Sequence, residues 1–89
     1  MKKHITLTID CTQTPTAPRV HAHIAHALHF PRHYGANLDA LRDCLTDILI
    51  EHSLSVVWRD TEHSKNDASL RALQNVLIAT VGTRAVEVM

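Results

Sequence analysis

"YGANLDALRDCLTDIL" (Tyr34–Leu49) encodes a helix whose two faces carry different messages. Leu38, Leu41, Cys44, Leu45 and Ile48 recur every three or four residues, which is the spacing of one buried helical face. Asn37 is a good N-cap, so the spacing predicts a helix from Leu38 to about Leu49. The other face carries Asp39, Asp43 and Asp47, spaced four and four. Three stacked carboxylates cost a few tenths of a kcal/mol per neighbouring pair. Asp39 escapes most of that cost, because the positive end of the helix favours an anion in its first turn. Arg42, three residues on, is also placed to pair with it. Asp43 and Asp47 gain less, and on the pattern alone they read equally well as a solvated face or as an acidic patch that docks a cationic surface.

Upstream, "HITLTID" (His4–Asp10) alternates apolar and polar residues and reads as a strand. "CTQTPTAP" breaks it as a loop. Val20, Ile24, Ala27 and Leu28 give a helical period over Arg19–Phe30, with Thr16 or Ala17 as cap, Pro18 in the first turn and Pro31 as the stop. Downstream, "LSVVWR" (Leu54–Arg59) is a second strand with Trp58 in the core. "DTEHSKN" reads as a loop with room for a helical turn. A last helix, capped by Asn66 or Asp67, turns Leu70, Leu73, Leu77 and Thr80 or Val81 inward and ends at Gly82. Arg84–Met89 forms a terminal strand. Helical crossovers between short apolar strands imply parallel pairing. The expectation is an α/β fold, a small three-stranded parallel sheet packed with three or four helices, as one domain over residues 1–89.

Bulk properties exclude several functions. The formal net charge is zero with histidines neutral. Residues 37–51 hold Asp39, Asp43, Asp47 and Glu51 against Arg42 alone, the wrong sign for nucleic acid. No apolar run approaches a bilayer span, and the chain reads as soluble and cytoplasmic. Cys11 and Cys44 do not make a disulfide framework and are expected to stay reduced. No GxSxG, GxGxxG or GxxxxGK[ST] occurs, so nucleophile-elbow and nucleotide chemistry have no support and no cofactor is implied. Paired aspartates could act as acid and base, but one exposed helix face offers no enclosing pocket. His21, His23, His26 and His29 share the first helix, and i,i+3 pairs can bind zinc; without a carboxylate or cysteine at ligand spacing, a metal-binding protein is the weaker alternative.

One resemblance is specific. "FPRHYGANLDALRDCLTDI" resembles the barstar family signature: Pro31, then Tyr34-Gly35, Asn37-Leu38-Asp39-Ala40-Leu41 and Asp43-Cys44-Leu45-Thr46. "VVWRDTEHSK" is similar to the family's second-strand segment, with Trp58, Arg59, Ser64 and Lys65 in step, and the N-terminal "MKK" agrees as well. The resemblance implies an inhibitor, not an enzyme, that binds an extracellular bacterial ribonuclease of the barnase type one-to-one and is monomeric when free. It implies that the second helix and the loop before it enter the ribonuclease active site. There Asp43 would take the place of a substrate phosphate and Asp39 would meet a second cation. Tyr34 and Gly35 would cover the catalytic histidine, with Asn37, Leu38 and Thr46 packing around them. Two positions of that face depart from the family: Arg42 replaces an aromatic and His33 a tyrosine. By counting back from Gly82, Leu77 falls where the family carries a further acid. An immunity or regulatory protein for a different basic partner is the alternative that keeps the same face.

Overall fold

The order of elements is β1 (Lys3–Asp10), α1 (Ala17–Ala27), α2 (Leu38–Glu51), β2 (His52–Arg59), α3 (Glu62–Lys65), α4 (Ala68–Val81) and β3 (Val86–Val88) in a computed structural model that describes residues 3–89. Met1 and Lys2, two residues of the "MKK" match, lie outside the described residues. The strands form one parallel sheet in the order β1-β2-β3, with Leu7 opposite Val56 and Val56 opposite Val86.

Period-two alternation sorts the sheet into two faces. Leu7, Ile9, Leu54, Val56, Trp58 and Val86 are buried under the helices with Val20, Ile24, Leu41, Leu45, Leu70, Leu73 and Leu77. The opposite face carries His4, Thr6 and Thr8 and stays open to solvent, unlike most parallel sheets. On it the His4 ring bridges the strands, bonded to the Ser53 hydroxyl at 2.8 Å and the Ser55 hydroxyl at 3.0 Å.

Caps define the helices. Asn37 Oδ1 accepts from Ala40 N at 2.8 Å to start α2, and Asp67 Oδ1 accepts from Leu70 N at 3.0 Å to start α4. Gly82 ends α4 at φ 112°, a conformation that glycine adopts without strain. Thr61 and Ser64 form a reciprocal capping box around α3.

The first helix differs from expectation. It spans Ala17–Ala27 and stops well before Pro31. His29 takes φ 56°, His29 N donates to His26 O at 3.4 Å, and Phe30 N donates to Ala25 O at 2.9 Å. This is a Schellman ending with histidine in the place glycine usually holds. The other boundaries move by a few residues: β2 begins at His52 and α2 runs on to Glu51, while β3 is confined to Val86–Val88. Cys44 is only half-buried, and both cysteines are free.

A polar knot ties β2 to α3 and α4. The Asp60 carboxylate accepts from Trp58 Nε1 at 2.6 Å, Ser64 Oγ at 2.9 Å and Arg71 Nη1 at 2.9 Å. Burial works to raise the Asp60 pKa, but these donors and the Arg71 charge outweigh it and hold the carboxyl below its usual value.

Candidate functional site

The loop between α1 and α2 and the start of α2 form one continuous surface. Tyr34 anchors it. Its hydroxyl shares a 2.5 Å hydrogen bond with His21 Nδ1 on α1, and its ring stands edge-on to Phe30 at 5.0 Å. Burial pushes the Tyr34 hydroxyl up to about 12, with the Cys44 thiol a lesser contributor. Burial likewise lowers the His21 pKa, which favours the neutral ring that can accept from the tyrosine.

Gly35 follows, and a Cβ there would fall 2.9 Å from Asn37 Nδ2, the side chain that caps α2. Ala36, not Gly35, carries the left-handed backbone, at φ 51°. The loop therefore enters α2 through a tight, partly strained turn.

His33, Tyr34, Gly35 and Asp43 come together around a cleft of about 280 Å³, joined by Cys44 and Asp47. Asn37 and Leu38 line a second cleft, of about 550 Å³, against His21, Ser69 and Ala72. Asp39, Arg42 and Thr46 line neither; all three are exposed on the ridge of α2 between the clefts. Thr46 Oγ1 donates to Arg42 O at 2.8 Å, a back-bond along the helix. Burial raises the Cys44 pKa and the nearby Asp47 and Asp43 charges raise it further, so the thiol is held protonated.

On spacing Asp47 read equally well as a solvated residue or as part of an acidic patch, and the resemblance assigned it no role. The structure sets it in the cleft beside Asp43. His21 was one of the four histidines of the first helix, with no partner assigned to it, and it is only 6% exposed. Leu77, the position where a further acid was counted, is fully buried in α4. The helix register places it in the core, so it contributes nothing to this surface. The histidines of the first helix do not gather. His21 meets Tyr34, His23 Nε2 donates to Thr8 O at 2.8 Å, and His29 lies past the helix end. Among the described residues no group of three or more His, Cys, Asp or Glu side chains is placed to hold a metal ion.

Comparison with known families meets this geometry directly. The family model described as "Barstar (barnase inhibitor)" matches residues 4–87. The chain belongs to the barstar family. Its three-stranded parallel sheet with four helices is consistent with the barstar fold. Barstar proteins are inhibitors rather than enzymes, and this family assignment takes in the loop, α2 and the polar knot together.

Proposed function

We propose that this barstar-family chain inhibits a secreted ribonuclease of the barnase type by plugging its active site with α2 and the preceding loop. The observation that carries the reading is the exposure of two α2 carboxylates, Asp39 on the ridge and Asp43 at the adjoining cleft, beside a loop pinned by Tyr34–His21. A ribonuclease cleft is cationic because it must hold RNA phosphates. Carboxylates on a preformed helix offer it the same charge, and a rigid helix loses little entropy on docking. Opposite charge across the gap also speeds the encounter, an effect for which the barnase–barstar pair is itself a reference case.

In this reading Asp43 enters the phosphate position, Asp39 meets a second cation, and His33, Tyr34 and Gly35 cover the catalytic groups. Asn37, Leu38, Arg42 and Thr46 surround them. The complex is one-to-one and the free protein a monomer. The producing cell's cytoplasm is where such an inhibitor would protect the cell's own RNA. The test is titration of this protein against a panel of purified secreted bacterial ribonucleases, following RNA cleavage. At least one enzyme should lose activity with an end point at one equivalent. Inhibition of none would overturn the reading.

A further inference from the structure

Arg42 stands on the proposed docking ridge with no acid to meet. About 100° per residue puts Asp43 about 40° to one side of Asp39 and Arg42 about 60° to the other. The Asp43 flank faces the loop cleft with Asp47, whereas the Arg42 flank adjoins Leu38, which lines the cleft shared with Ser69 and Ala72 of α4. α4 reads ASLRALQNVLIATV and holds no carboxylate. Its one cation, Arg71, is engaged by Asp60. Among the described residues the ion pairs are His63–Asp67 and Arg71–Asp60, so the exposed Arg42 guanidinium forms none, despite Asp39 three residues away. The ridge is thus split by sign, with carboxylates toward the loop and an uncompensated cation toward α4.

Resting on the function proposed above, we infer that Arg42 is a specificity determinant, and that the cognate ribonuclease presents a carboxylate side chain at the rim of its cleft on the side that faces α4. Docking strips water from this ridge. A guanidinium buried without a partner is strongly unfavourable, and a cationic rim would add repulsion. An Asp or Glu at the rim turns both effects into attraction, because its two oxygens match the planar fork of arginine. Ribonucleases with a wholly cationic rim are then rejected by this chain, although Asp39 and Asp43 still suit their active sites.

The experiment measures Kd for the ribonuclease in the panel that the protein inhibits most strongly, using wild type, Arg42→Ala, Arg42→Lys, Arg42→Glu and Asp43→Ala. Arg42→Ala is expected to weaken binding about tenfold or more, Arg42→Glu further still, and Arg42→Lys least. Replacing a rim carboxylate of the ribonuclease by lysine should restore binding to Arg42→Glu. If Arg42→Ala binds as well as wild type or better while Asp43→Ala is weakened, this inference fails and the inhibitor reading stands. If neither substitution changes Kd, the docking face lies elsewhere and both fail.

Discussion

The Tyr34 hydroxyl and His21 Nδ1 lie 2.5 Å apart and join the surface loop to the buried side of α1. Tyr34 is therefore both a candidate contact residue and the peg that holds its own loop. Tyr34→Phe keeps the ring but leaves a buried imidazole nitrogen without its partner. Stability should fall by about 1–3 kcal/mol. Denaturant unfolding checks this, and an unchanged midpoint would show that the bond contributes nothing.

The same burial makes the hydroxyl hard to ionise. The chain holds a single tyrosine, so tyrosinate absorbance reports on Tyr34 alone. Its titration midpoint is expected near 12, against about 10 for a free tyrosine. The unfolded chain releases this proton about two pH units earlier than the folded one. The stability linked to Tyr34 is therefore complete below pH ~10 and is lost as pH rises from there through about 12. A midpoint near 10 in the folded protein would contradict the buried placement.

The Asp60 side chain is 3% exposed and accepts from three donors. Asp60→Ala orphans them together and should cost about 3 kcal/mol or more. Its lowered pKa gives the opposite pH sign to Tyr34. The contribution is present above pH ~4 and disappears as pH falls through the depressed folded value. Trp58, the only tryptophan, donates to Asp60 and serves as the fluorescent reporter of unfolding. An Asp60→Ala protein as acid-resistant as wild type would refute the role of the knot.

Gly35 is required by contact rather than by backbone angle. Gly35→Ala places a methyl 2.9 Å from Asn37 Nδ2 and forces the cap side chain to move. Loss of that cap should destabilise the protein by about 1 kcal/mol. Differential scanning calorimetry of Gly35→Ala and Asn37→Ala should give similar, non-additive losses. Additive losses would mean that Gly35 does not act through the cap.

How much of this was legible in the sequence depends on where each residue's partner sits. α2 was plain because its cap, apolar stripe and acidic ridge all lie within about four turns of chain. The strands followed from alternation in β1 and from the apolar run at Leu54–Trp58, and their parallel pairing from the helical crossovers between them. The end of α1 was not, because histidine in a left-handed turn leaves no signal as strong as glycine. The start of β2 was hidden because His52 and Ser53 are polar. Asp47 and His21 acquire their surroundings only when the loop folds back between α1 and α2, and no spacing along one helix records that. Leu77 shows the reverse error, where counting from Gly82 ignored which face of α4 is buried.

The central claim is that Asp43 occupies the ribonuclease's phosphate position, and the most direct measurement is the Kd of Asp43→Ala for the ribonuclease that the wild-type protein inhibits. Asp43 is exposed on a helix with like charges near it, so its removal should leave folding stability within about 0.5 kcal/mol of wild type. Kd should nevertheless rise about a hundredfold, because the ribonuclease cations then lose their buried counter-charge. An Asp43→Ala protein that inhibits as tightly as wild type would contradict the account.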